Sequence, residues 1–295
     1  MKKLSVLFLL LSAFSIYSQE NIKYQKPSEE ILNLVEFERP PSILYDDNKN
    51  FMLLLFRDNY KSISELSAKE LRLGGLRIDP KTNIGSRVTY YNNVKIRNLK
   101  NQKSEITQVK GLPKNPKLSN ISWSPDQKRI ALTNTTENGV ELWVLELENG
   151  AVTKLTEPNL NSNIGSVINW FANSENMLVK MISNNRKPLI DTNKIVPDGP
   201  TISTNFGEKA QNRTYQDLLK NKFDEHNFQQ LSTSAIYKVS IDGSVKKWMD
   251  DVMYRTISFS PNVEYVMISQ INKPFSYLVT SVSYTHLTLP TKRIV

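Results

Sequence analysis

The sequence predicts an all-β protein, on three observations. Short runs of β-branched and aromatic residues alternate with turn clusters such as Asn149-Gly150 and Asp242-Gly243, and long amphipathic helical patterns are scarce. Residues 121–155 contain four such runs in succession, which is the pattern of a four-stranded antiparallel sheet. The pattern recurs at intervals of roughly 40 to 45 residues, a spacing typical of β-propeller blades. We therefore expect an incomplete β-propeller of about three to four four-stranded antiparallel blades, with a short N-terminal helix and a helical insertion.

The first 18 residues predict a secretory signal peptide. Lys2 and Lys3 precede an apolar run of about a dozen residues, which is too short to span a ~30 Å hydrocarbon core as a helix. Ser18 is the best candidate for the residue before the cleaved bond. We therefore expect a periplasmic or secreted protein with no membrane association after cleavage. The alternative is a buried first helix.

Residues 19–41 form an N-terminal segment before the first blade. Ser28 precedes Glu29 and Glu30, and apolar residues follow them, which predicts a short helix capped by the Ser28 side chain. The partial propeller is expected over residues 42–281. Its predicted strands fall in four groups, the first at 42–45, 51–56, 76–79, 87–91 and 94–99, the second at 121–133, 140–147 and 151–155, the third at 167–171, 177–181, 235–241 and 244–248, and the fourth at 254–261 and 264–269.

The third group is interrupted by an insertion over residues 184–234. Thr214-Tyr-Gln-Asp217 has the pattern of a capping box and precedes Leu218, Leu219 and Phe223, which predicts a helix that begins there. Residues 282–295 do not continue the strand pattern and resemble a translated adapter sequence, so we expect this tail to be non-native. The alternative is a C-terminal edge strand that contains Val282, Tyr284, Leu287 and Leu289.

Composition excludes several classes of protein. The chain has 295 residues, 39% hydrophobic and 23% charged, which excludes a disordered, collagen-like or polytopic membrane protein. Its formal net charge of +9 falls to +5 without the two cations near each end, so no nucleic-acid partner is expected. Cysteine is absent and only two histidines occur, so no disulfide and no metal site is expected. The oligomeric state stays open.

No catalytic residue can be assigned from the sequence. A Gly-x-Ser-x-Gly string, which presents the serine of a nucleophile elbow, does not occur in the chain. His286 lies in the suspect tail, and His226 follows the predicted helix beside Asp224 and Glu225. A histidine beside carboxylates with no nucleophile is usually a surface residue, so we interpret His226 as a solvated loop residue. The four tryptophans are expected to pack between blades.

Four segments, taken in their order along the chain, resemble the prolyl oligopeptidase family, in particular its glutamyl endopeptidase-like branch. They are Leu73-Gly-Gly-Leu-Arg-Ile-Asp79 with Ser86-Arg87, Val196-Pro-Asp-Gly-Pro200, Arg213-Thr-Tyr-Gln-Asp-Leu-Leu219 and Lys273-Pro-Phe-Ser-Tyr277. The resemblance implies an N-terminal propeller that restricts access of peptides to an α/β-hydrolase domain with a Ser-Asp-His triad. It also implies that the reaction needs no metal or organic cofactor and that this chain ends before the catalytic domain. Because the Gly-x-Ser-x-Gly string is absent, we expect the chain to be inactive by itself.

Two arginines within the resembling segments are candidate substrate-binding residues. The guanidinium groups of Arg77 and Arg87 are suited to pair with an acidic side chain or the terminal carboxylate of a peptide. The alternative is that each is a strand-surface charge or pairs with Asp79 inside the blade. We therefore expect the propeller part of an exported serine peptidase, which hydrolyses peptide bonds, with cleavage after Glu as one specificity. The alternative function is a stand-alone periplasmic propeller that binds proteins as a scaffold.

Overall fold

The computed structural model describes residues 25–101, 103–196, 199, 202, 204, 206–209 and 213–280, and the backbone of 291–293. The chain divides into two compact units, Met1–Glu38 and Arg39–Val295. In the first unit, helix α1 spans Glu29–Val35. Ser28 lies at its N-cap, but its side chain makes no capping hydrogen bond, and Glu29 and Glu30 occupy the first turn. The predicted signal peptide lies outside the described residues.

The first sheet of the second unit is four-stranded and antiparallel, and a small sheet is inserted into it. In chain order the elements are β1 (Ser42–Tyr45), β2 (Phe51–Phe56), helix α2 (Ile63–Leu66), β3 (Leu71–Leu73), β4 (Leu76–Asp79), β5 (Ile84–Gly85), β6 (Asn93–Asn98) and β7 (Thr107–Gln108). The four-stranded sheet has the order β1-β2-β6-β7, and the inserted sheet has the order β3-β4-β5.

The inserted sheet corrects two of the predicted strands. Residues 76–79 do form a strand, but it pairs within the inserted sheet and not within the first blade. Residues 87–91 are not a strand. The Ser86 backbone N–H donates to the Arg77 carbonyl, and the Val88 N–H donates to the Gly85 carbonyl, so the chain turns where a strand was expected. Local alternation of residue types cannot reveal such a turn.

The second and third sheets confirm the predicted blades. The second contains β8 (Leu118–Trp123), β9 (Arg129–Thr136), β10 (Gly139–Glu146) and β11 (Ala151–Lys154) in the spatial order β11-β10-β9-β8. The third contains β12 (Ile168–Trp170), β13 (Asn176–Ile182), β14 (Ser234–Ser240) and β15 (Val245–Val252) in the order β12-β13-β14-β15. Both sheets are antiparallel throughout.

The insertion between β13 and β14 carries helix α3, Lys222–Ser232, and a short 3₁₀ turn at Thr192–Lys194. The predicted start of the helix at residues 214–217 is wrong. Asp217 has a φ of 58°, which a right-handed helix does not allow, and the helix is capped instead by Asn221, whose side chain accepts from the Asp224 N–H.

The fourth sheet is three-stranded. Strands β16 (Tyr254–Phe259) and β17 (Tyr265–Gln270) form an antiparallel pair, and β18 (Thr291–Arg293) pairs with β17. Strand β18 falls in the predicted non-native tail, of which residues 282–290, 294 and 295 lie outside the described residues. Among the described residues, no helix is long and apolar enough to cross a membrane.

Successive sheets pack face to face, which is the propeller arrangement. Adjacent residues on one strand serve two interfaces, since Leu132 packs toward the first sheet while Ala131 packs toward the third. Both faces of the middle sheets are therefore buried, which explains the near-continuous apolar strands. Trp170 is buried between the second and third sheets, and Trp123, Trp143 and Trp248 pack at the edges of the clusters. The fold is thus all-β, with several four-stranded antiparallel sheets and few helices, as predicted.

Candidate functional site

Three of the four segments that carry the family resemblance meet at one place, around helix α3. The Gly75 backbone N–H donates to the Asp217 carbonyl at 2.9 Å. Gly74 lies against the Phe228 ring, and the same ring makes an edge-to-face contact with Phe275 at 5.3 Å between centroids. Segments that are far apart in the sequence therefore build one contiguous structure. The fourth segment, Val196 to Pro200, lies largely outside the described residues.

Close packing around the β3–β4 turn requires glycine at positions 74 and 75. Gly74 has φ +61° and Gly75 has φ +95°, in the left-handed region that favours glycine. A Cβ at Gly74 would lie 2.9 Å from the Phe228 ring, and a Cβ at Gly75 would lie 2.7 Å from the Thr280 side chain. The β3–β4 turn can therefore approach α3 and residue 280 only with glycine at both positions.

Arg77 lies at the centre of an ion-pair network behind this turn. Its Nε donates to Asp217 Oδ2 at 2.6 Å, and its Nη1 lies 3.8 Å from Glu70 Oε1. Arg72 Nε pairs with the same Glu70 at 2.8 Å. The Ser86 hydroxyl also donates to Glu70, and this hydrogen bond, with the two arginines, lowers the pKa of the Glu70 carboxyl. The lowered pKa favours the ionised form of Glu70, and the network holds the Arg77 guanidinium, whose side chain is only 16% exposed.

The alternative pairing predicted for Arg77 is wrong. Asp79 does not bind the arginine, because its carboxylate accepts hydrogen bonds from the Lys81 N–H and from the Thr82 hydroxyl. These bonds form the turn between β4 and β5. Asp217 lies within one of the four segments that carry the resemblance, whereas Glu70 lies outside all of them. Nothing in the sequence pattern indicated that either carboxylate pairs with Arg77.

A second polar cluster joins α3 to the Lys273–Tyr277 segment. The Tyr277 hydroxyl donates to Glu225 Oε1 at 2.5 Å, and Lys222 Nζ lies 2.8 Å from the same oxygen. Burial tends to raise the pKa of Glu225, but the hydrogen bonds from Lys222 and Tyr277, together with the positive charges of Lys222 and Lys273, lower it overall. Lys222 also lies 6.0 Å from the centre of the Tyr277 ring. This cluster fixes the segment that follows β17 onto the helix.

A large cavity lies between the inserted sheet and the second four-stranded sheet. Its volume is about 1210 Å³, and its walls come from α2, the β4–β5 region, residues 113–117 and the end of the β9–β10 hairpin. Arg87 is exposed and lines this cavity. Arg77 does not line it, although its partner Glu70 does. The structure therefore places the two predicted site residues differently, one on the cavity wall and one behind it.

The cavity wall is rich in cations, and only some of them are paired. Lys117 pairs with Glu65 at 3.1 Å, and Lys154 pairs with Glu141 at 3.3 Å. The pKa of Glu65 is lowered by the hydrogen bond from the Ser62 N–H and by Lys117. Four further cations of the wall have no carboxylate within 4 Å among the described residues: Lys61, Lys81, Arg87 and Lys114. The unpaired positive charge on the cavity wall is suited to an anionic ligand.

His226 does not belong to this cavity, and the interpretation of it as a solvated loop residue is wrong. It lies within α3, is partly buried, and its Nε2 is 3.0 Å from the Pro188 carbonyl oxygen. No serine or carboxylate contacts it in the described part of the chain. Within the same part, no group of three or more His, Asp or Glu side chains is arranged to hold a metal ion.

Comparison with known proteins tests the predicted family resemblance. No protein-family profile matches the chain. A probable chloroplastic glutamyl endopeptidase of Oryza sativa subsp. japonica is 30% identical in an alignment of 268 residues that covers 87% of this chain. The predicted resemblance is confirmed. The counterpart from Arabidopsis thaliana is also 30% identical, over 272 residues.

The match to the glutamyl endopeptidase relatives covers most of this chain but only a part of each relative. The chain is covered over 87% of its length, but it spans only 28% of the length of each relative. Among solved structures, the acylaminoacyl peptidase of Pyrococcus horikoshii aligns with 88% of this chain and 33% of that enzyme, at a TM-score of 0.41 and 12% sequence identity. The relatives are named as peptidases, and this chain corresponds to part of them.

Proposed function

We propose that this chain is the N-terminal propeller portion of an exported serine peptidase related to the glutamyl endopeptidases, and that it restricts which peptides reach an α/β-hydrolase domain. The observation that carries the proposal is the match of 87% of this chain to 28% of each plant relative. Export to the periplasm or the medium forms part of the proposal and rests on the basic and apolar residues 1–18.

The proposed chemistry belongs to the longer protein. Peptide-bond hydrolysis through an acyl-serine intermediate needs a nucleophile elbow, a histidine base and an oxyanion hole. The Gly-x-Ser-x-Gly string is absent from this sequence, and the ring of His226, in α3, lies within hydrogen-bond distance of the Pro188 backbone carbonyl. The chain by itself is therefore expected to be inactive, and the reaction requires no metal or organic cofactor.

The cavity supports a role in selecting peptides. Arg87, Lys81 and Lys114 face a volume of about 1210 Å³ without a carboxylate partner among the described residues, and a peptide that carries acidic side chains offers such partners. Arg87 is the better placed of the two predicted arginines, because the Arg77 guanidinium is already held by Asp217 and Glu70. Cleavage after Glu is the specificity that this proposal favours.

An active-serine probe tests the proposal. The gene is extended in its native frame beyond the codon for Val279, and the longer product and the present chain are each treated with a fluorophosphonate and with an internally quenched peptide that contains Glu. We expect the longer product to be labelled and to cleave the peptide, and the present chain to do neither. A native frame that ends after a few more blades with no Gly-x-Ser-x-Gly would reject the peptidase and support the scaffold function. Labelling of the present chain would reject the assignment of the chemistry to another domain.

A further inference from the structure

Three asparagine side chains from two separate loops donate hydrogen bonds to the C-terminal end of α3. The Leu231 carbonyl oxygen accepts from the Nδ2 atoms of Asn83 at 3.3 Å, Asn161 at 2.9 Å and Asn163 at 2.7 Å. Asn83 follows β4, whereas Asn161 and Asn163 precede β12. Because the amide nitrogens of these side chains point at the helix end, the amide oxygens of Asn161 and Asn163 point away from it.

Lys180 of β13 lies beside these asparagines and is buried, with 2% of its surface exposed. The Asn161 N–H donates to the Lys180 carbonyl at 2.9 Å, next to the antiparallel bridge between Leu160 and Met181. Residues opposite each other in an antiparallel pair project to the same face with Cβ atoms about 5 Å apart. The side chains of Lys180 and Asn161 therefore enter the same buried space.

Several hydrogen-bond donors and acceptors in this space have no partner among the described residues. Lys180 Nζ donates to the Ile164 carbonyl, which uses one of its three N–H groups, and no carboxylate lies within 4 Å of it in the described ranges. The Oδ1 atoms of Asn161 and Asn163 are buried and accept no hydrogen bond from the described residues, and Asn161 is only 2% exposed. A buried polar group without a partner costs about 1–3 kcal/mol. Unused donors of Lys180 and the unused acceptor of Asn161 thus lie on one face of the strand pair, and Asn163 is the residue before Ile164, whose carbonyl the lysine binds.

We propose that this space is a hydration site that holds one internal water molecule. The water donates its two hydrogens to Asn161 Oδ1 and Asn163 Oδ1 and accepts a hydrogen from Lys180 Nζ, which gives it the three hydrogen bonds typical of buried water. A metal cation is disfavoured there by the lysine ammonium, and an anion is disfavoured by the two amide oxygens. The water connects β13 with the loop that holds the end of α3.

The site gives the buried lysine a structural role. Burial lowers the pKa of Lys180 to about 7, and a bound water replaces part of the solvation that the ammonium loses. Through that water, the Lys180 side chain fixes the two asparagine amides in the orientation that lets their nitrogens bind Leu231. The insertion helix is thereby tied to the third sheet by a polar link as well as by the apolar contacts of Phe228 and Leu231.

A crystal structure of the full chain, at a resolution that shows ordered solvent, tests the proposal. We expect an isolated solvent peak about 2.7–3.2 Å from Asn161 Oδ1, Asn163 Oδ1 and Lys180 Nζ. An empty space, direct hydrogen bonds from the lysine to the asparagines, or a peak with the short distances and higher coordination of a sodium ion would each overturn it.

Water-oxygen relaxation dispersion, which counts long-lived internal waters, gives a second test in solution. Lys180→Met leaves the water only two partners, so we expect one fewer long-lived water than in the unchanged chain. Lys246→Met is the matched control, because Lys246 is an exposed lysine on β15 of the same sheet, and we expect no change from it. An equal count in the Lys180 variant would contradict the proposal, and the crystal structure of the unchanged chain decides if that variant fails to fold.

Discussion

Arg77 Nε donates to Asp217 Oδ2 over 2.6 Å, and this ion pair joins the inserted β3–β5 sheet to a segment 140 residues further along the chain. Both side chains are largely buried, at 16% and 13% exposure. The Gly75 N–H also donates to the Asp217 backbone carbonyl. Asp217 therefore binds the β3–β4 hairpin through both its backbone and its side chain.

The first prediction concerns this ion pair. Arg77→Met is expected to lower the free energy of unfolding by about 2 kcal/mol, because it leaves the largely buried Asp217 carboxylate without the cation that hydrogen-bonds to it. Arg72→Met removes an arginine of the same network that is 59% exposed and is expected to cost less than about 1 kcal/mol. Urea unfolding of the two variants measures the difference, and equal losses would show that burial of the pair does not matter.

The second prediction concerns the β3–β4 turn. Gly75→Ala and Gly243→Ala both place alanine at positive φ, +95° and +87° respectively, which costs roughly 1–2 kcal/mol. Only the first also brings a Cβ within 2.7 Å of Thr280, since nothing lies within 4 Å of the Gly243 position. We therefore expect Gly75→Ala to lower the midpoint of thermal unfolding clearly more than Gly243→Ala. Similar midpoints would mean that residue 280 moves aside freely.

The third prediction concerns Lys180 and pH. Its folded-state pKa is lowered to about 7 from the ordinary 10.5, so between these values the unfolded chain binds more protons than the folded chain. Stability is therefore expected to rise as pH increases through this range, with a slope of at most about 1.4 kcal/mol per pH unit, and to carry the full cost below it. Lys180→Met should abolish this rise in urea unfolding between pH 7 and 10, whereas Lys246→Met should retain it. A rise that persists in the Lys180 variant would assign it to other groups.

The fourth prediction concerns Arg87 in the longer protein. Arg87→Ala is expected to lower kcat/KM for peptides with acidic residues about tenfold, which corresponds to about 1.4 kcal/mol, and to leave neutral peptides unaffected. The loss should shrink at high salt, because the charge is exposed. Arg39→Ala, an exposed arginine that does not line the cavity, serves as the control. An unchanged preference for acidic peptides would reject Arg87 as a substrate-binding residue.

The blades were predictable because their information is local. In the second sheet, runs of apolar residues are separated by turns whose residues favour the required backbone, such as Asn149-Gly150, and each strand pairs with its neighbour in sequence. The inserted sheet was not predictable in the same way. Leu76–Asp79 has the composition of any strand, and its assignment to a separate sheet depends on packing against α3, which lies far away in the sequence.

The site was predictable only in part, for the same reason. The ordered segments were found because each carries distinctive glycines, prolines or aromatic residues. Their convergence around α3 depends on contacts such as Gly74 with Phe228 and Phe228 with Phe275, which no local pattern encodes. Glu70 and Lys180 resemble ordinary surface residues in the sequence. Only the fold shows that Glu70 joins three side chains and that Lys180 is buried.

The asparagine contacts at the end of α3 also impose an order on biosynthesis. Asn83 leaves the ribosome 148 residues before the Leu231 carbonyl that it binds. At about 5–20 residues per second, that interval lasts about 7–30 s. During this interval Leu73 and Ile78 of the β3–β5 region lack the helix against which they pack, so we expect this region to be a binding site for a chaperone that holds the unfolded chain.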